Sequence, residues 1–337
     1  MEETKRRPWR RWLLLALMIA GFILAGMFAP VRPEITAAPE KLLEEPLFTI
    51  PGLGPFYLFN TLPTLIFSVL AIIVLAYFTN RSPRKSQQTD MVPRGVGNVM
   101  EAGFEMIYNL TEGSAGAKFA PMIFPWFATI MFYVLFANLL KLVPGFESIG
   151  LVRHATGEGY AAAPLFGSVL QLLPKTVESG GYILVPFLRG ISLDLNFTFA
   201  LAIISVLMTQ VVGVRAQGIR YFTKFFNFTT MFKKPFFGAM DFLIGLLELI
   251  SELGKVLSFA FRLFFNMLAG IILIAVIAAL MGKITILGSM LYLFELFVAV
   301  IQAFVFGILT MVFMSMATQG HGHEEEHAAA GAEAHEI

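Results

Sequence analysis

The stretch Glu248–Asn266, ELISELGKVLSFAFRLFFN, places four charged side chains inside a long apolar region. Arg262 is the extreme case, because aliphatic and aromatic residues flank it on both sides and a guanidinium stays protonated at any working pH. Placing such a charge at the centre of a bilayer costs about 3 kcal/mol or more. We therefore expect Arg262 either to serve the function of the protein directly or to be paired inside a helix bundle.

The composition indicates a protein that crosses a membrane several times. Of its 337 residues, 57% are hydrophobic and 14% are charged, whereas a soluble domain has about 25% charged residues. The chain has no cysteine, which excludes disulfides and thiolate metal sites. It also has no glycine-rich GK[ST] loop, so we predict neither a bound nucleotide nor a cofactor. A net charge of +1 does not point to a nucleic-acid partner.

The sequence divides into three regions. Residues 1–60 begin with a basic segment and the apolar run 12–29, which is either a retained membrane anchor or a signal peptide. Both interpretations leave the Pro-rich, acidic residues that follow outside the cell. Residues 61–319 form the membrane domain. Residues 320–337 are an acidic tail that is either disordered and solvated or binds a metal through its histidines, which are His321, His323 and His327.

Three predicted membrane spans precede the charged stretch, at residues 62–78, 122–143 and 195–214. Residues 91–120 read as an amphipathic helix along the cytoplasmic surface. Residues 144–190 form an outer segment, in which 163–173 is too short to span a bilayer and can form a packed hairpin. Basic residues follow the first and third spans, which places those ends in the cytoplasm.

The last two predicted helices are too long to cross a membrane upright. Residues 236–281 contain no proline and predict one helix of about 46 residues, roughly 69 Å long. Residues 289–319 predict another of about 31 residues, roughly 46 Å long. Because the hydrocarbon core is only about 30 Å thick, we expect a steeply tilted or bent antiparallel hairpin. The fold class is therefore an all-α polytopic membrane protein with a surface helix and two long C-terminal helices.

Polar residues form one stripe along the first long helix. At about 100° per residue, Glu248, Lys255 and Asn266 lie within about 40° of Arg262, with Ser258 beside them. Such a stripe is expected to face the protein interior or a water path rather than lipid.

The second long helix carries Glu295 and Gln302 seven residues apart, and therefore on one face. Burial favours the protonated form of a carboxylate, which would let Glu295 take up and release protons; the alternative is a structural ion pair. Carboxylates that relay protons, combined with an arginine that never releases its own, suit a proton path that must not leak. The fixed charge would also attract a carboxylate from a partner.

Several ordered motifs in this chain resemble those of subunit a of the bacterial rotary F-type ATP synthases. The resemblance covers most of residues 60–319, and its strongest piece is LSFAFRLFFNMLAG at 257–270. The other motifs are MVPRGVGNVMEAGFEMIYNL at 91–110, FANLLKLVPG at 136–145, LDLNFTFALAI at 193–203 and IQAFVFGILTMVFMSMA at 301–317. The resemblance implies a non-catalytic subunit of the bacterial inner membrane with a cytoplasmic C-terminus. Its implied partners are the c-ring, b-type peripheral stalk subunits and the lipid bilayer.

The resemblance also implies roles for individual residues in proton translocation. Arg262 would be the stator arginine that meets the c-ring carboxylate, with Gln302 as its partner on the next helix and Asn266 lining the path. Glu248 would lie on the cytoplasmic half-channel, and Glu295 on the outer one. The remaining implied path residues are Asp194 and Asn196 near the outer half-channel, and Ser258 and Lys255 beside the arginine. One departure is Ile271, at a position where relatives with histidine in place of Glu295 carry an acid.

Two other interpretations of Arg262 remain. A secondary transporter or channel could use the arginine as a substrate anchor, although the internal repeats and broken spans expected of that class are not found in the sequence. Alternatively, the arginine could be a structural salt-bridge partner of Glu248 or Glu295.

Overall fold

The chain is mostly helical, which confirms the predicted all-α membrane class. The computed structural model describes residues 12, 38–52, 54–86, 96–143, 146–155, 157–167, 169–178, 180–225, 235–281 and 285–319. Within these residues the α-helices are α1 (Thr61–Ser86), α2 (Val96–Leu140), α3 (Leu195–Gln217), α4 (Pro235–Met281) and α5 (Thr285–Thr318). Of the predicted N-terminal apolar run 12–29, only Trp12 is among the described residues, and the C-terminal tail 320–337 lies outside them.

Four of the described helices, α2 to α5, each contain a segment long and apolar enough to cross a membrane. The apolar part of α1, Thr61–Tyr77, is shorter than these four segments and coincides with the first predicted span. One face of α1 is polar and buried, with Thr64 and Ser68 both at 0% exposure. The Ser68 hydroxyl donates to the Leu65 carbonyl at 2.8 Å, which satisfies it inside the helix.

Helix α2 is two helical segments joined at Gly116. That residue has φ 77° and ψ 159°, a conformation that is nearly exclusive to glycine. The break separates the predicted surface helix from the predicted second span, so the boundary near residue 120 was close to correct. Pro121 and Pro125 lie inside the helix beyond the break. Pro125 is more than two turns past Gly116, so its missing N–H removes one hydrogen bond of the helix.

The strands come from the segments around the spans and add a feature that the sequence did not predict. β1 (Phe48–Ile50) and β2 (Gly54–Phe56) pair as a short antiparallel ribbon. A four-stranded antiparallel sheet has the order β3-β6-β4-β5. Its strands are β3 (Gly150–His154), β4 (Gly159–Phe166), β5 (Val169–Val177) and β6 (Tyr182–Pro186). The β4–β5 pair is a β-hairpin over the residues for which a hairpin too short to span was predicted.

The chain separates into two compact units. The first contains residues 1–60, 144–189 and 268–297; the second contains 61–143, 190–267 and 298–337. The core of the second unit is apolar and draws on α2 to α5, through Val134, Ala202, Leu263 and Phe306 among others. Gly307 brings α5 very close to α2, because a Cβ at that position would lie 2.8 Å from the Met131 Cβ.

The two long helices have the predicted lengths or slightly more. α4 has 47 residues and α5 has 34, or about 70 Å and about 51 Å at 1.5 Å per residue. α5 begins at Thr285 rather than at the predicted residue 289, so the connection between the helices is shorter than expected. Phe259 of α4 packs on Phe306 of α5, with ring centroids 4.9 Å apart. Steep tilting of both helices in the membrane stays a prediction.

Candidate functional site

Arg262 lies on the exposed face of α4, among large apolar side chains. Phe261 and Phe265 beside it are 38% and 55% exposed, and Arg262 itself is exposed. The opposite face of the same helix is the packed one, with Leu263 at 0% and Met267 at 1%. The arginine therefore points away from the core of its own unit, toward whatever covers this apolar face in the membrane.

Asn266 and Gln302 join α4 to α5 one turn beyond the arginine. The Asn266 side-chain amide donates a hydrogen bond to Oε1 of Gln302. Gln302 is only 3% exposed, and its Nε2 has no hydrogen-bond partner in the described part of the chain. A buried amide donor left unpaired costs about 1–3 kcal/mol. The structure therefore pairs Gln302 with Asn266, and the expected pairing of Gln302 with Arg262 itself stays a prediction.

Lys255 is held by an acid that the predicted stripe did not include. Its ammonium lies 2.7 Å from Glu252 Oε1 and 4.7 Å from the centre of the Phe313 ring on α5. Glu252 is buried, whereas Glu248, one turn earlier, is half-buried. Ser258, in the stripe beside the arginine, is exposed.

Glu295 lies in the first unit, where a glycine of α4 makes room for it. The Glu295 side chain is 6% exposed. A Cβ added at Gly270 would lie 3.2 Å from Glu295 Oε1 and 3.7 Å from its carboxyl carbon. The absence of a side chain at Gly270 therefore defines the space in which the carboxylate sits.

Asp194 caps helix α3, and each of its two carboxylate oxygens accepts a hydrogen bond. Its Oδ1 accepts the backbone N–H of Asn196 at 2.9 Å, and its Oδ2 accepts the Thr61 hydroxyl at 3.0 Å. Asp194 is 8% exposed, whereas Asn196 is exposed. An N-cap carboxylate stabilises a helix by accepting hydrogen bonds from its free backbone N–H groups. Asp194 therefore stabilises α3, in addition to any role in a proton path.

A second polar contact lies next to that cap. The Ser192 hydroxyl donates to Asn138 Oδ1 at 2.6 Å, and both residues are almost completely buried. In the sequence, Asn138 stands near the end of the predicted span 122–143. Among the described residues, no group of three or more His, Cys, Asp or Glu side chains is placed to hold a metal ion.

Polar side chains buried along membrane helices are typical of proteins that move ions through a bilayer. Comparison with known proteins narrows that class. Residues 64–315 match the model of the family described as ATP synthase A chain. A Campylobacter jejuni protein named ATP synthase subunit a is 29% identical over 259 residues, covering 75% of this chain and 88% of the relative. Proteins of the same name from Helicobacter pylori and Halorhodospira halophila are 27% and 29% identical, over 76% and 70% of this chain and 90% and 76% of their own lengths.

The chain belongs to the ATP synthase A chain family. It is accordingly a multi-pass membrane subunit with a proton-translocating stator role and no catalytic site of its own.

Proposed function

We propose that this chain carries protons to and from the c-ring carboxylate of a bacterial ATP synthase through two offset half-channels, with Arg262 between them. Arg262 prevents a direct leak and couples proton flow to rotation of the ring. The chain lies in the inner membrane, where it contacts the c-ring and b-type peripheral stalk subunits, and its C-terminus is in the cytoplasm.

The exposure of Arg262 on an apolar helix face carries this proposal. A permanent cation that its own unit does not cover costs several kcal/mol in a membrane unless a partner supplies a counter-charge. A ring of subunits that each present one carboxylate supplies that charge repeatedly, and each arriving anion is attracted to the arginine. A structural salt bridge inside the chain would instead hold the arginine on the packed face of α4.

Two further groups of residues support the half-channels. Glu248 lies in the first half of α4, which follows the basic residues after the third span. It is half-buried and about 21 Å from Arg262 along the helix axis. We assign Glu295, Asp194 and Asn196 to the outer path. Asn266 and Gln302 line the region next to the arginine, where the spare Gln302 donor can meet a carboxylate.

The test is ATP-driven proton pumping by inverted membrane vesicles whose ATP synthase carries Arg262→Ala. We expect no acidification while ATP hydrolysis continues, because the stator charge is lost. Arg215→Ala is the matched control, since Arg215 is an exposed arginine in the last turn of α3. Normal pumping by the Arg262→Ala complex would refute the proposal.

A further inference from the structure

The first half of α4 has a buried carboxylate to which the proposed function gives no role. Glu252 is 8% exposed, whereas the next residue, Leu253, is 62% exposed. The helix therefore turns its acid inward and its leucine outward, the arrangement expected where the surroundings are lipid. An inward carboxylate in a membrane helix calls for a functional or structural explanation.

Lys255 makes the burial of Glu252 tolerable. The two side chains are one turn apart and in contact at 2.7 Å, and the ammonium also lies over the Phe313 ring, a favourable cation–π position. Burying a charge without a partner costs several kcal/mol, and a close ion pair offsets that cost. The pair thus keeps a negatively charged proton acceptor inside the helix bundle.

Other polar groups lead from Glu252 toward the start of α4. Glu248 precedes it by four residues, so the two carboxylates share a face and are about 6 Å apart along the axis. The Tyr221 phenol, which is 2% exposed, lies close enough to interact electrostatically with both. Its hydroxyl donates to Gln210 Oε1 of α3 at 2.7 Å. Because a phenol can both donate and accept a hydrogen bond, this set offers a route for a proton between the two acids.

We propose that Glu252 is a proton-carrying residue on the Glu248 side of Arg262, with Lys255 as its positioning residue; this rests on the proposed function. In the direction of synthesis, the O–H bond of a ring carboxylic acid breaks and a new one forms on the Glu252 carboxylate. The ring group is left as an anion beside Arg262. Glu252 then passes the proton to Glu248 and on to water, and returns to its ion pair with Lys255. Ten residues separate Glu252 from Arg262, about 15 Å, so water completes the first transfer.

The test measures passive proton flux through vesicles stripped of the soluble ATPase sector, and ATP-driven pumping by the intact complex. Glu252→Gln keeps the shape of the side chain but cannot carry a proton this way, so we expect flux to fall by at least about tenfold. Glu252→Asp keeps the acid and should recover most of the flux, which a role of side-chain shape alone does not predict. Glu105→Gln is the matched control, because Glu105 is an exposed acid on α2.

The outcomes separate this inference from the proposed function. Wild-type flux in Glu252→Gln, with pumping abolished by Arg262→Ala, overturns the role of Glu252 alone. Equal loss in Glu252→Asp and Glu252→Gln does the same, since the side chain would then act only by its shape and pairing. If Glu252→Gln fails to assemble, the neutral double variant Glu252→Gln/Lys255→Met removes the unpaired charge. Low flux in that assembled double variant supports the inference, and normal flux overturns it.

Discussion

The space that Gly270 leaves for Glu295 gives a graded prediction about proton entry. A Cβ at Gly270 would lie 3.2 Å from Glu295 Oε1, slightly inside an ordinary van der Waals contact. Alanine therefore requires a shift of only a few tenths of an ångström, and we expect proton flux within about threefold of wild type. Valine adds methyl groups that reach further toward the carboxylate and displace it by about 1 Å or more. Misplacement of that size can reduce a rate by about a hundredfold.

The assay is again passive proton flux in stripped vesicles, with the amount of assembled complex measured in parallel. Gly254→Ala and Gly254→Val are the matched controls, because nothing lies within 4 Å of a Cβ at that position of the same helix. Both controls should assemble and conduct normally. Glu295→Gln should assemble but slow proton entry, which ties the effect to the acid.

A partial rescue sharpens the prediction. Glu295→Asp withdraws the carboxylate by about one methylene, so the double variant Gly270→Val/Glu295→Asp should conduct better than Gly270→Val alone. Equal flux in Gly270→Val and wild-type vesicles would refute the view that this glycine positions a proton-carrying carboxylate. Loss of flux in the Gly254 variants to the same degree would attribute the effect to the helix rather than to the contact.

Three other changes test the packing of the second unit. Asp194→Ala should destabilise the complex by about 1–2 kcal/mol through loss of the α3 cap, seen as faster thermal inactivation, and Asp194→Asn should retain most of that stability. Gly307→Ala places a Cβ 2.8 Å from the Met131 Cβ, so we expect a cost of about 1–3 kcal/mol and less assembled complex; an unchanged thermal midpoint would contradict the close approach. The hydroxyls of Ser205 and Thr310 are 2.8 Å apart between α3 and α5, and Ser205→Ala should cost only about 0.6 kcal/mol in the same thermal assay.

Sequence reasoning recovered the helices because their signals are local. Apolar runs, the basic residues that flank them and the absence of proline from residues 236–281 are all visible in the chain itself. The sheet of residues 150–186 was missed because its strands contain Gly and Pro, and because pairing between distant segments leaves little mark on local pattern. Only the β4–β5 turn, where the strands are adjacent in sequence, was anticipated as a hairpin.

The candidate site was predicted as a stripe but not as a set of contacts. The helical wheel placed Arg262 and Asn266 on one face, yet it could not show that Lys255 pairs with Glu252. That pairing joins residues about 60° apart on the wheel, and long side chains cover such a separation easily. The sequence also could not predict the role of Gly270. A glycine has no side chain, and its importance here comes from Glu295, which occupies the space beside it.

The continuity of α4 has a consequence for how this chain can change in evolution. In 47 residues without a break, inserting one residue rotates everything beyond it by about 100° and advances it by about 1.5 Å. An insertion between Lys255 and Arg262 would therefore swing the arginine off its face, even if no existing side chain were altered. Along α4 the spacing of residues is thus under stricter constraint than most of their identities.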